Sequence, residues 1–228
     1  MPILVDADII CYRTSFKAQS DDSSLEELHE EIDDMIDNIS VSNTFGGDLD
    51  DLKFFLTGKK NFRYDIATIA PYKGHRLKEK PPMLPDARDY LISEYGAKVS
   101  DGQEADDDIA ITAAACEYKC TVASIDKDFL QLPCRHYNWN KDSHTDVTPD
   151  EGMKFFYTQM LTGDTADNIK GVKGIGPKKA DKILNGLVSE VDLYKAVEEH
   201  YETLDELIEN ARLLWLRRFE GQMWEPPE

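Results

Sequence analysis

Along the first half of the chain, short apolar runs bounded by turn residues alternate with stretches whose apolar positions recur at helical spacing. Ile3-Leu4-Val5, Phe54-Phe55-Leu56, Ile66 to Ile69 and Thr121 to Ile125 are predicted as strands. Helices are predicted around 24–39, 85–95, 105–117, 151–162, 177–185, 190–200 and 203–218. Pro85 at the start of one of them and Gly96 just past its end are the expected punctuation of a helix. The alternation predicts an α/β fold around a mainly parallel sheet flanked by helices. From about 150 onward the pattern is purely helical, so the chain divides into an α/β part, 1–150, and a helical part, 151–228. The acidic stretch near 18–52, with Gly46-Gly47, predicts a mobile loop.

Composition narrows the classes. The chain has 228 residues, 41% hydrophobic and 31% charged, which suits a globular protein of one large domain or one domain with a small appendage. No uncharged apolar run approaches the roughly 20 residues of a membrane-spanning helix. The start, Met1-Pro2-Ile3-Leu4-Val5-Asp6, has neither a basic leader nor a cleavage pattern, so the expectation is cytoplasmic. Cys11, Cys116, Cys120 and Cys134 read as reduced thiols. Zinc held by Cys116, Cys120, Cys134 and His136 would lack a Cys-x-x-Cys pair, and small buried hydrophobes are the better account.

The net charge of −19 argues against a partner bound merely by bulk attraction to polyanions, but the charge is unevenly distributed. Ala18 to Leu52 holds twelve acidic residues and no Lys or Arg. Lys59 to Lys80 holds Lys59, Lys60, Arg63, Lys73, Arg76, Lys78 and Lys80 against Asp65 and Glu79, and Lys170 to Lys182 holds five lysines against Asp181. Either basic island alone is adequately explained as a solvated face; two in an acidic protein suggest a polyanion held locally.

Four acidic groups recur at telling places: Asp6 after the first strand, Glu104-Ala105-Asp106-Asp107-Asp108 opening a helix, Asp126-Lys127-Asp128 after the run from Thr121, and Gly163-Asp164-Thr165-Ala166-Asp167-Asn168. Ligands of open α/β sheets collect at the carboxyl ends of strands. Each group taken singly is explained by helix-dipole or turn preferences. Together, crowded carboxylates repel unless a cation neutralises them, and oxygen ligands without His or Cys select Mg²⁺ or Mn²⁺. Directly after Asp167 runs Asn168-Ile169-Lys170-Gly171-Val172-Lys173-Gly174-Ile175-Gly176-Pro177-Lys178-Lys179-Ala180. Its glycines permit a tight turn, and its lysines and helix start make a phosphate cradle that gives register without reading sequence. A plain turn between two helices is the alternative.

With these residues assembled, the chain resembles the 5′-nuclease family, the flap endonucleases and 5′ to 3′ exonucleases of phages and bacterial DNA polymerases, over most of 1–185. The resemblance is carried by Val5-Asp6, Tyr72-Lys73-Gly74-His75-Arg76, Glu104-Ala105-Asp106-Asp107, Asp126-Lys127-Asp128-Phe129-Leu130-Gln131-Leu132, Gly163 to Asn168 and the Gly171 to Ala180 hairpin. It implies a PIN-like sheet with a helix-hairpin-helix (helix-three-turn-helix) motif in the helical part, and a short arch near 71–85. It implies two Mg²⁺ or Mn²⁺ ions held by Asp6, Glu104, Asp106, Asp107, Asp126, Asp128, Asp164 and Asp167. Lys73 and Arg76 are implied at the scissile phosphate as catalytic residues, and Tyr72 as a stacking partner for a base. Gly171, Lys173, Gly174, Gly176, Lys178 and Lys179 are implied to bind DNA, with K⁺ at the hairpin.

The implied activity is structure-selective hydrolysis of DNA with 5′ ends, flaps or gaps, or of RNA primers, in replication, repair or recombination, by a monomer. A free-standing form resembles the phage-encoded branch, which places it in the host cytoplasm. Glu104 fits only if the helix begins near Ala105, because ideal phase would put Glu104, Asp107 and Asp108 on one face. Leu56-Thr57-Gly58-Lys59 lacks the aspartate that relatives carry after the second strand, and Asp8 would compensate if the first strand continued past Asp6. Two rivals remain. Asp6-Ala7-Asp8 with Gly163 to Asn168 resembles a haloacid-dehalogenase-like phosphatase, although Ile10 departs from its pattern. The missing aspartate would suit a non-catalytic DNA-junction-binding protein.

Overall fold

The structure, a computed structural model of the 228-residue chain, describes residues 1–43, 49–75 and 79–228. The expected loop at Gly46-Gly47 lies outside the described residues. In chain order the elements are β1 (Ile3–Asp6), α1 (Ala7–Asp21), α2 (Leu25–Asn43), β2 (Leu52–Leu56), α3 (Phe62–Ile66), α4 (Leu84–Tyr95), β3 (Lys98–Val99), α5 (Ala105–Ala115), β4 (Thr121–Ala123), β5 (Arg135–Asn138), β6 (Ser143–Asp146), α6 (Pro149–Thr162), β7 (Gly163–Asp164), β8 (Ile169–Lys170), α7 (Pro177–Ile183), α8 (Glu190–Glu198) and α9 (Leu204–Leu214). Among the described residues, six strands form one sheet in the order β3-β2-β1-β4-β5-β6. All its pairings are parallel except β5 with β6.

The two-residue period of a strand divides the core. Ile3, Val5, Phe54, Leu56 and Ala123 face α1, α2 and α4, whereas Leu4, Phe55 and Val122 face Ala105, Ile109, Ala110 and Ala113 of α5, as alternation across a pleat requires. A third apolar cluster gathers α6 to α9 and takes in Tyr72 and Trp224. Sequential connections run from β1 to β2 on one side and reach β4 on the other. The strand order therefore reverses between β1 and β4, where a crevice opens at the carboxyl ends.

Several predicted elements are displaced. The run Ile66 to Ile69 is no strand. Asn61 caps α3 by accepting from the Arg63 amide at 3.0 Å, and Glu209 accepts from the amides of Thr68 and Ile69, both at 2.9 Å, fixing the following segment to α9. Its sheet position goes to β3, two exposed residues with no apolar run to read. Helix α1 escapes the periodicity reading because its inward face, Ala7, Ile10, Cys11, Thr14, Ser15 and Ala18, mixes small and hydroxyl residues; the Thr14 hydroxyl donates to the Ile10 carbonyl. The part after 150 is not purely helical, since β7 and β8 pair antiparallel. No helix among the described residues is long and apolar enough to cross a membrane.

The parts are joined by Arg63, 2% exposed. Its guanidinium donates to both carboxylate oxygens of Asp107, at 2.5 and 2.9 Å, and to the carbonyls of Leu213 at 2.9 Å and Trp215 at 3.0 Å. Asp107 also accepts from the Arg217 amide at 3.2 Å. Burial pushes the Asp107 carboxyl up, but Arg63 outweighs it and holds the group below the ordinary carboxylate range. Removing one partner of such a buried pair strands the other charge. Asp107→Ala is therefore expected to lower the unfolding free energy by about 3–5 kcal/mol, measured as a reduced urea midpoint at pH 7. A change within 0.5 kcal/mol, the ordinary range for surface positions, would contradict this account of the pair.

Candidate functional site

The crevice between β1 and β4 collects carboxylates from several elements. Asp6 closes β1, is 4% exposed and accepts from the Ser124 hydroxyl at 2.9 Å. That hydroxyl oxygen in turn accepts from the Asp126 amide at 3.0 Å, so one side chain ties the end of β1 to the turn after β4. Asp126 caps the following 3₁₀ turn, accepting from the Asp128 amide at 2.9 Å, and Asp128 accepts from Gln159 of α6 at 2.7 Å. Helix α5 begins at Ala105 with Glu104 as its N-cap, the placement that the resemblance required.

The electrostatics link these groups. Burial, then the charges of Asp8 and Asp126, push the Asp6 carboxyl up to about 7. Burial, then Asp6, Glu104 and Asp126, push Asp106 well up. Burial, then Asp126 and Asp164, push Asp128 up to about 7. Asp126 thus acts on three neighbours and stands between two carboxylate groups, one around Asp6 and Asp106 and one around Asp128 and Asp164. No three His, Cys, Asp or Glu side chains among the described residues stand as a preassembled ligand cage.

Two lysines contact the rim. Lys73, held in the left-handed region at φ 53°, donates to Glu104 at 2.5 Å and lies 3.7 Å from Asp167. Lys127 donates to Asp164 at 2.8 Å and lies 3.8 Å from Asp128. Despite the contrary effect of burial, Lys127 and the amides of Ala166 and Asp167 hold Asp164 below its ordinary range.

Three expected roles meet a different geometry. Tyr72 is buried at 4% exposure and packs edge-on against Tyr64. Its hydroxyl donates to Glu104 at 2.8 Å and to Asp167 at 2.7 Å, so it bridges two carboxylates and offers no open face to a base. Asp107 points away from the crevice into the Arg63 pair. Strand β1 stops at Asp6, which leaves Asp8 in the first turn of α1; Asp8 accepts from the Thr57 amide at 2.8 Å and from Arg88 at 2.7 Å. Asp108 is turned to Lys98, Ser100 and Gln103. Arg76 lies outside the described residues.

In the hairpin, Gly171 is required by close packing, since a Cβ there would come 2.2 Å from the Thr162 carbonyl carbon. Buried Ile175 anchors the turn, while Lys173, Gly174, Gly176, Lys178 and Lys179 are exposed; Gly174 takes φ +77°. The reading by motif did not single out Ser124, Lys127, Gln159 or Arg88. Ser124 and Lys127 flank Asp126 and were findable by position, whereas Gln159 and Arg88 come from distant helices and carry no local signal.

No family model matches the chain. It is 37% identical over 170 residues to DNA polymerase I of Rhizobium leguminosarum, covering 67% of this chain and 15% of that protein. It is 33% identical to flap endonuclease Xni of Vibrio cholerae, covering 64% and 63%, and 28% identical to a 5′-3′ exonuclease of Buchnera aphidicola, covering 86% and 74%. The chain spans half or less of the first curated relatives it matches. Among solved structures, T5 5′-exonuclease with bound zinc is 18% identical, covers 93% of this chain and 88% of that one, and superposes with a TM-score of 0.70. Bacteriophage T5 D15 flap endonuclease with DNA and metal ions gives 0.69 at 19% identity, with the same two coverages. These neighbours share the mostly parallel sheet flanked by helices. The named relatives and the shared fold support a member of the 5′-nuclease family.

The raised carboxyls give a pH signature. A group bound to its proton more tightly folded than unfolded loses stability as pH rises from the unfolded value, about 4, through the folded one. For Asp6 and Asp128 that window ends near pH 7. With chelator present, the melting temperature is expected to fall between pH 5 and 8, less steeply in Asp128→Asn. Mg²⁺ is expected to raise it more at pH 8 than at pH 5, and an equal shift at both would count against cation binding at these carboxylates.

Proposed function

We propose that the chain is a divalent-metal-dependent 5′ nuclease that hydrolyses DNA phosphodiesters at 5′ ends or flaps, in replication, repair or recombination. The observation that carries this reading is the convergence of Asp6, Asp106, Asp126 and Asp128 at the sheet's switch point, with Asp6, Asp106 and Asp128 each raised by burial and by neighbouring carboxylates, Asp126 among them in every case. Oxygen donors whose charges lack full compensation fit hard divalent cations. The residues assigned to hold Mg²⁺ or Mn²⁺ are Asp6, Glu104, Asp106, Asp126, Asp128, Asp164 and Asp167. Asp107 is left out because both its oxygens are held by Arg63.

Bound there, a pair of such ions supplies an activated water and neutralises charge on the leaving oxygen. The chain's own groups do the rest. Lys73, placed by its left-handed backbone and by its amide's bond to the Asp167 carbonyl at 2.9 Å, brings a cation to the rim, where a scissile phosphate gains negative charge. Tyr72 fixes Glu104 relative to Asp167. Lys127 spans the second carboxylate group and is the nearest cation to Asp164. The exposed Lys173, Lys178 and Lys179 of the 151–228 part hold the duplex backbone and set its register. The acidic surface of α2 repels DNA elsewhere and favours structured ends over long duplex.

The test is a denaturing gel of a 5′-flap duplex labelled separately at each end, incubated with Mg²⁺, Mn²⁺ or chelator. Metal-dependent short products from the 5′ label, reduced at least a hundredfold in Asp128→Ala, about 2.7 kcal/mol of barrier, are expected. Lys178→Glu with Lys179→Glu is expected to raise KM while leaving kcat within about threefold. An intact substrate under every condition, with a retarded band on a native gel, would replace the nuclease with a junction-binding protein.

A further inference from the structure

Arg88 of α4 and Asp8 of α1 form a contact that no step above uses. The Arg88 guanidinium donates to one Asp8 oxygen at 2.7 Å and to the Thr57 carbonyl at 2.8 Å, while the Thr57 amide donates to the other Asp8 oxygen at 2.8 Å. The pair is partly exposed, the side chains at 25% and 20%, and it sits where the carboxyl ends of β1 and β2 meet. Thr57 also receives the Ala105 amide on its hydroxyl at 3.0 Å. The same residue therefore touches the pair and the first turn of the helix carrying Asp106.

We propose that Asp8 and Arg88 are a positioning pair for the cation site, in which Asp8 acts as the counter-ion of Arg88 and not as a metal ligand. This deepens the reading of the crevice as a divalent-cation site and rests on it. Both Asp8 oxygens are already bonded, one to a cation and one to a backbone amide. Arg88 is the cation that α4 brings to the Asp6 side of the crevice. Matched by Asp8, it adds little net field; unmatched, it opposes a divalent ion at Asp6. The bond to the Thr57 carbonyl fixes where that charge stands, so α4, which follows the 71–83 segment, is seated on the site by the same contact.

The experiment is Mn²⁺ binding to the full chain by paramagnetic resonance of free Mn²⁺, with melting curves as the control for folding. Asp8→Asn keeps an acceptor for the Thr57 amide and leaves Arg88 unmatched. Mn²⁺ affinity is expected to fall about tenfold, the order expected of one uncompensated charge in a water-filled crevice. Asp8→Asn combined with Arg88→Gln removes both charges, and affinity is expected to return to within about threefold of wild type. A double variant as weak as Asp8→Asn alone would make Asp8 a ligand and overturn the proposal, as would an unchanged affinity in Asp8→Asn. Wild type that takes up no Mn²⁺ would instead bring down the cation site itself, and the pair's role with it.

Discussion

The arrangement of this protein depends on one buried guanidinium. Arg63 comes from a five-residue helix that could not persist alone. It is surrounded by Asp107, the carbonyls of Leu213 at the end of α9 and of Trp215 just after it, and the ring of Phe62, 4.7 Å from the guanidinium carbon to the ring centroid. A charge taken that far out of water is tolerable only with its donors satisfied, and satisfying them fixes three distant segments at once. Helix α5 is clamped by Asp107, its third residue, which turns Asp106 to the crevice and leaves Glu104 at the N-cap. The closing segment, through Leu213, Trp215 and Arg217, is drawn over the same spot.

Holding the crevice together is the opposite problem. Like charges are kept close by bonds that neutralise only part of them: the Ser124 hydroxyl, the amides at Asp128, Ala166 and Asp167, and the lysines at the rim. The net effect leaves Asp6, Asp106 and Asp128 holding their protons more tightly than free carboxyls do, while Asp164 gives up its proton more readily because Lys127 reaches it. The balance differs from residue to residue according to which cation is near.

Other sequence signals took their meaning from packing. Gly171 and Gly174 look alike in a glycine-rich hairpin, yet one is required by backbone contact and the other by a left-handed turn. Tyr72, in a basic segment, is implied by the resemblance as a stacking partner for a base; the third apolar cluster and two carboxylates claim it instead. The polar pair β5 and β6 closes the sheet with little apolar content, because an antiparallel edge needs only one covered face.

The sequence by itself determined the α/β class, most helices, and the positions of the carboxylates at strand ends and helix starts, because those signals are local: two-residue and 3.6-residue periods, caps, and turn glycines. It also determined that the basic charge falls in two islands. Only the tertiary structure decided which carboxylates face the crevice. Asp106, Asp107 and Asp108 are consecutive, yet one meets Asp6, one meets Arg63 from 44 positions away, and one meets Lys98. Asp8 stands two residues from Asp6 but is claimed by Arg88, 80 positions on. Which of several equal charges is buried against a cation is settled by where distant elements pack, and one-dimensional spacing carries no record of that.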